Sequence, residues 1–179
     1  MHYSGKITHN EKTITLLYRT QYYSYEKGKI IFRLLTGFFF VAAAVFLSLT
    51  IWARGILIAL GTWLIVSTDF PAQIRADKVV QARKNSFPEM NYEFYYDKFK
   101  VSGEGSMNIA YKKLTRLIED EKYFYLFIAK DEVCMIEKAS IKNDGFAEFI
   151  AKKTKLQWRQ EKSLLAMNLQ DVIQIFKSK

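Results

Sequence analysis

Cysteine, histidine and proline are scarce in this chain of 179 residues, which contains one Cys, two His and two Pro. A single cysteine excludes a disulfide within the chain. His2 and His9 lie in the N-terminal tail without a cysteine or an acid at ligand spacing, so no metal site is predicted. Cys134 lies in an alternating apolar segment, which favours a buried small residue over a nucleophile. No Ser/His/Asp set is recognisable, and we expect neither an enzyme nor a cofactor.

Charged residues are nearly absent from residues 34–70, where Arg54 interrupts the apolar run. One helix through all 37 residues would be about 55 Å long, whereas a hydrocarbon core is about 30 Å thick. The tract is therefore predicted to fold into two membrane helices, residues 30–53 and 55–70. A buried hairpin in a soluble core is the alternative, but the lack of a polar stripe favours the membrane.

The turn of this hairpin is predicted at Trp52, Arg54 and Gly55. Glycine permits a tight backbone turn, while arginine and tryptophan suit the interface between membrane and water. Six Lys or Arg residues precede the tract within residues 1–33, and four more follow it closely, within residues 75–84. By the positive-inside rule, both termini are expected in the cytoplasm.

The net charge of +9 could indicate nucleic-acid binding. Many cations flank the apolar tract, however, where anionic lipid headgroups attract them, so we expect the bilayer and no nucleic acid as a partner. Residues 71–87 are predicted to form a basic connector helix. We favour a topology-setting role for it over a dedicated lipid site. The candidate anionic-lipid contacts are Arg75, Lys78, Arg83, Lys84, Lys112 and Lys113.

Short aromatic or β-branched segments separated by turn residues follow Pro88 and predict an antiparallel meander. The six predicted strands are residues 90–96, 98–102, 106–111, 115–119, 123–129 and 132–137. A helix is predicted over residues 143–155, since Phe146, Phe149 and Ile150 recur at helical spacing. Residues 156–179 are predicted to contain a further amphipathic helix.

The N-terminal segment, residues 1–29, is predicted to supply a seventh strand at residues 12–19. Whether that strand pairs with the later sheet is open. Seven strands closed by a helix correspond to a pleckstrin-homology-like arrangement, which would occupy residues 88–155 with the membrane hairpin inserted after the first strand. The expected fold is thus an α+β membrane protein with a two-helix transmembrane hairpin and an antiparallel sheet domain.

This layout resembles the YcxB-like family of small bacterial membrane proteins. The matching positions are Leu117-Ile118-Glu119, Tyr123-Phe124-Tyr125-Leu126, Ile136 with Lys138, and Phe146 with Phe149. Glu137 stands where the family usually has proline, and Ile141 where an aromatic residue is common. The resemblance implies a pleckstrin-homology-like cytoplasmic domain in a bacterial inner-membrane protein and implies no particular activity.

Three functional hypotheses remain open at this level. The first is a non-enzymatic, membrane-anchored module that binds or regulates a protein partner. The second is a module that responds to lipid headgroups, and the third is an accessory subunit of a membrane transporter complex. The sequence identifies neither the partner nor the oligomeric state.

The predicted topology can be tested by cysteine labelling in intact cells. A cysteine replacing Gly55, in a Cys134→Ser background, should react with an impermeant thiol reagent because it lies at the outer end of the hairpin. Cysteines replacing Ser4 or Ser178 should be protected. Labelling of one terminus would indicate a single crossing and contradict the hairpin.

Overall fold

The structure is a computed structural model that describes residues 3–84 and 86–160, and it has an α+β fold. In these residues the helices are α1 (Glu11–Tyr25), α2 (Lys27–Phe46), α3 (Ile51–Val66), α4 (Phe70–Ala82) and α5 (Phe146–Thr154). The strands are β1 (Tyr3–Thr8), β2 (Glu89–Phe94), β3 (Lys98–Ser102), β4 (Ser106–Ala110), β5 (Arg116–Glu119), β6 (Tyr123–Phe127), β7 (Val133–Glu137) and β8 (Trp158–Arg159).

Helices α2 and α3 form the predicted apolar hairpin, and they touch where two glycines face each other. A Cβ atom on Gly61 would lie 2.6 Å from the backbone oxygen of Gly37 and 2.8 Å from a methyl group of Val41. The absence of side chains at both positions therefore lets the two backbones approach closely. Ala44, farther along α2, is completely buried.

The second arm of the hairpin does not stop at α3. A short 3-10 turn, Ser67–Asp69, connects α3 directly to α4, and Pro71 lies in the first turn of α4. Both α2 and the run Ile51–Ala82 are long and apolar enough to cross a membrane.

The predicted turn at Trp52, Arg54 and Gly55 is wrong by a few residues. The chain reverses at residues 47–50, and the three predicted residues lie in α3. Thr50 caps α3, because its side chain accepts a hydrogen bond from the backbone NH of Ala53. A threonine cap satisfies a free amide at the helix start, so it fixes the boundary more firmly than the glycine does.

Two sheets, antiparallel except for one pair of strands, form the rest of the fold. One has the order β1-β2-β3-β4, and the other has the order β7-β6-β5-β8, in which β8 pairs in parallel with β5. The six strands predicted between residues 90 and 137 are confirmed as β2 to β7. Consecutive strands pair as predicted from β2 to β4 and from β5 to β7, but the single meander is divided between β4 and β5, which lie in different sheets.

Strand β1 lies where the two sheets meet. Its residues pair with β2 in a register that sets Tyr3 opposite Phe94. On the other side it lies so close to β7 that a Cβ atom on Gly5 would be 2.7 Å from a methyl group of Ile136. The N-terminal segment, which precedes the hairpin in the chain, thus contributes a strand to the sheets that follow it.

The prediction of a strand at residues 12–19 is wrong, because these residues lie in α1. Asn10 and Thr13 form a reciprocal capping box that starts the helix. Ile14 then packs with Ala76 and Val80 of α4. Threonine favours strands, but the capping box and the packing of Ile14 against α4 outweigh that propensity here.

Helix α5 confirms the helix predicted over residues 143–155, and it covers the core between the sheets. Phe146 contacts Phe94 of β2 edge to face with a centroid distance of 4.8 Å. Tyr3 of β1 packs on Phe149 at 5.0 Å. The connector predicted at residues 71–87 is helical over Phe70–Ala82, and the described residues after Ala82 lie outside the helix.

The predicted amphipathic helix at residues 156–179 lies mostly outside the described residues. The described part, residues 156–160, contains strand β8 instead of a helix. Trp158 of this strand packs on Phe124 at a centroid distance of 4.8 Å, which explains why this part of the chain follows the sheet.

The glycine contact gives a matched stability test. Gly61→Ala should force the helices apart and destabilise the full-length protein in detergent by about 1–3 kcal/mol, the usual range for overpacking. Gly55→Ala is the control, since a Cβ atom there meets nothing within 4 Å. The measurement is the thermal unfolding midpoint of each variant. A Gly61→Ala variant as stable as Gly55→Ala would contradict the close contact.

Candidate functional site

The candidate site lies where the helical hairpin meets the sheets, and it is centred on Glu26. This residue interrupts the helices between α1 and α2, and its side chain is only 4% exposed. Its carboxylate accepts hydrogen bonds from Lys29 of α2 at 2.9 Å and Arg75 of α4 at 3.0 Å. Lys130, between β6 and β7, forms an ion pair with it at 3.0 Å. One buried carboxylate therefore connects two helices and a sheet.

Burial alone would raise the pKa of Glu26. Hydrogen bonds from Lys29, Lys130 and Arg75 act in the opposite direction and are stronger, so they lower its pKa to about 2. The carboxylate is ionised at neutral pH, and a buried charge of this kind is stable only with its partners in place.

Two further sets of contacts hold α1 in position beside this junction. Asp69, in the 3-10 turn between α3 and α4, forms an ion pair with Arg19 at 3.2 Å and accepts a hydrogen bond from the Tyr23 hydroxyl. On the sheet side, Arg116 of β5 donates a hydrogen bond to the Ser24 carbonyl and stacks on the Tyr25 ring. Helix α1 is thus attached to both the hairpin and the second sheet.

A cavity of about 390 Å³ opens beside Glu26. Its charged lining residues are Lys29, Arg33, Arg75 and Glu26. Three cations and one carboxylate give the lining a net charge of +2. Apolar residues, including Phe32 and Leu64, line the same cavity on its hairpin side. The volume falls within the usual range of small-molecule pockets.

Arg33 is the least satisfied polar group in this cavity. Its Nη2 atom donates a hydrogen bond to Ser67 Oγ at 2.9 Å, and its guanidinium lies 5.7 Å from the centre of the Trp63 ring. Its Nε atom is buried and has no hydrogen-bond partner among the described residues. Buried donors are normally paired, so the guanidinium retains capacity for an acceptor.

The six predicted cationic contacts do not form one cluster. Arg75 lies in the cavity, whereas Lys78 is exposed on α4. Arg83 pairs with Glu104 at 2.9 Å, and Lys84 lies beyond the end of α4. Lys112 and Lys113 are exposed after β4. The sequence interpretation missed Arg33 and Lys29, whose four-residue spacing on α2 was the available signal.

A second cavity, of about 420 Å³, lies between α1, α4 and the sheets. Its lining is largely apolar and includes Met107, Ile109 and Cys134. Burial, with a smaller effect of Glu132, raises the pKa of the Cys134 thiol to about 12, which fits a packing residue. His9 also lines this cavity, and burial and the charge of Arg83 lower its pKa. Within the described residues no cluster of three His, Cys, Asp or Glu could hold a metal.

Comparison with known proteins gives one match. The family model described as YcxB-like protein matches residues 94–152, which run from the end of β2 into α5 and cover about a third of the chain. The resemblance to the YcxB-like family is thereby confirmed over this segment. No curated protein and no solved structure matches the chain.

The Glu26 cluster predicts a strong effect of one substitution. Glu26→Gln should lower the free energy of unfolding of the full-length protein by about 2 kcal/mol, less than for a fully buried pair because the partner cations are partly exposed. Glu104→Gln removes the exposed pair with Arg83 and should cost less than about 1 kcal/mol. Denaturation in detergent measures both, and equal losses would contradict the special role of Glu26.

The stability of the wild-type protein and that of Glu26→Gln should depend differently on pH. The pKa of Glu26 is lower in the folded protein than its ordinary value of 4.5. Its stabilising contribution is therefore complete above about pH 4.5 and disappears as the pH falls towards 2. The stability difference between wild type and Glu26→Gln should narrow over this interval, and a constant difference would argue against ionic stabilisation.

Proposed function

We propose that the protein is an integral membrane protein whose hairpin, α2 and α3, crosses a bacterial inner membrane twice. Exposed apolar side chains on both helices support this. They include Phe32, Phe38, Phe39, Phe46, Ile51 and Trp52, with exposed fractions from 60% to 84%. A water-soluble protein rarely exposes a continuous apolar surface of this kind, whereas lipid covers it at no cost.

Strand pairing supports two crossings and not one. Strand β1 precedes the hairpin, β2 follows it, and the two strands pair along six residues from Tyr3 to Thr8. Both ends of the hairpin must then lie on the same side of any membrane that it enters. Together with the distribution of cations, this supports a cytoplasmic location for both flanking segments.

The sheets, on this proposal, form a pleckstrin-homology-like domain. The support is the count and order of the strands: β1 to β4 in one antiparallel sheet, β5 to β7 in the next, and α5 against their shared core. The hairpin is then an insertion between the first and second strands.

The domain would act as a non-enzymatic module that binds or regulates a protein partner at the membrane. The observation that carries this proposal is the fixed attachment of the sheets to the hairpin through α1, Glu26 and Arg116. A flexible linker would let the domain search a large volume. An attachment through buried contacts instead presents one surface at a constant height and angle to neighbours in the same membrane. Crosslinking in native membranes should accordingly give discrete adducts from the sheet domain.

Paired substitutions test the membrane insertion on which this function depends. Aspartates replacing Phe38 and Val45, both exposed on α2, should abolish resistance to alkaline carbonate extraction. Each charge in a transmembrane helix costs about 2.5–3.5 kcal/mol. Aspartates replacing Tyr96 and Met107 are the control, because these side chains on the sheet domain are also largely exposed, at 83% and 61%. Extraction of the wild-type protein by carbonate, or equal behaviour of the two variants, would contradict the proposal.

A further inference from the structure

We infer that the cavity beside Glu26 binds the phosphate group of an anionic glycerophospholipid from the cytoplasmic leaflet. The inference rests on the proposed membrane insertion of the hairpin. It differs from a general attraction between basic residues and the membrane, because it assigns the binding to one cavity and to Lys29, Arg33 and Arg75.

The charge of the cavity supports an anionic ligand. Glu26 is shared by three cations, of which Lys130 lies outside the cavity lining. Arg33 has no carboxylate partner among the described residues, and it donates a hydrogen bond to the neutral Ser67 hydroxyl. The resulting excess of +2 in the lining is not neutralised within the described protein. A phosphodiester supplies a negative charge and acceptor oxygens for guanidinium groups.

The position of the cavity in the hairpin supports a lipid as the source of this phosphate. Thirteen residues of α2 follow Arg33 before the helix ends at Phe46, which is about 20 Å of helix. A hydrocarbon core is about 30 Å thick. Arg33 would therefore lie at the boundary between the cytoplasmic headgroups and the hydrocarbon, or slightly inside the hydrocarbon. A cation at this depth is stabilised when a lipid phosphate is drawn towards it.

The apolar part of the lining fits the remainder of the lipid. Phe32 and Leu64 border the cavity on the hairpin side, and Phe32 is 73% exposed. Acyl chains of a lipid whose phosphate contacts Arg33 could pass directly over these side chains. A free phosphate ion would gain only the polar contacts, whereas a phospholipid would also cover apolar surface.

Lipid binding to the full-length protein, measured by native mass spectrometry from detergent, tests the inference. The probes are phosphatidylglycerol and phosphatidylcholine of the same chain length. Wild type should retain one phosphatidylglycerol about tenfold more tightly than phosphatidylcholine, because charge-assisted hydrogen bonds favour the anionic lipid in the pocket. This preference should persist near 1 M salt, where the Debye length is about 3 Å and surface attraction is screened.

Two matched substitutions separate the cavity from the surface. Arg33→Gln should reduce the affinity for phosphatidylglycerol about tenfold. Lys78→Gln removes the same charge from the exposed face of α4, one turn beyond Arg75, and should change the affinity less than about twofold at high salt. Arg33→Lys retains the charge and should recover part of the loss, which also distinguishes lost binding from misfolding. Equal effects of Arg33→Gln and Lys78→Gln would overturn the inference.

Two controls distinguish a wrong lipid assignment from a wrong membrane assignment. Inorganic phosphate at the same concentration should not displace phosphatidylglycerol, and displacement would overturn the lipid assignment in favour of a soluble-anion site. Carbonate extraction of the same samples checks the membrane insertion. A protein that resists extraction but shows no lipid preference would refute the lipid site alone, whereas an extractable wild-type protein would refute the proposed function as well.

Discussion

The buried carboxylate of Glu26 is the interaction on which the arrangement of the helices over the sheets depends. It is the one charged side chain among the described residues that is almost completely buried. Removing a carboxylate from water is costly, and the cost is offset only when cations surround it. Its partners come from α2, α4 and the β6–β7 connection. The charge is therefore stable in one arrangement of these three elements, which gives the junction a defined geometry.

The N-terminal strand imposes a second constraint on the fold. Because β1 lies between β2 and β7, the core between the sheets is complete only after the chain has passed through the hairpin and returned. Tyr3 also packs on Phe146 and Phe149 of α5, at the other end of the described chain. The sheet domain and the hairpin consequently form one folding unit, although the family match begins only at residue 94.

The sequence predicts the parts of this structure that depend on local patterns. Short aromatic or β-branched segments separated by turn residues predicted β2 to β7, and helical spacing of Phe146, Phe149 and Ile150 predicted α5. Strand β1 was missed because Gly5 occupies one of its buried positions and hides the alternation, although Tyr3 and Ile7 retain it. The Glu26 cluster could not be predicted, since its cations are separated from it by up to about a hundred residues and meet it only in the folded chain.

Two groups of cations that look alike in the sequence differ in their surroundings. Lys78 and Lys84 extend into solvent, where their charge acts at long range and is screened by salt. Arg33 lies against Trp63 and Ser67 with a buried nitrogen that lacks a partner. Leaving such a donor unpaired costs about 1–3 kcal/mol, so the position is unfavourable unless an acceptor reaches the guanidinium. A topology signal needs only a net charge at the membrane surface, and any exposed lysine would supply it. A partly buried arginine beside an uncompensated cavity is better explained by a ligand that completes its hydrogen bonds.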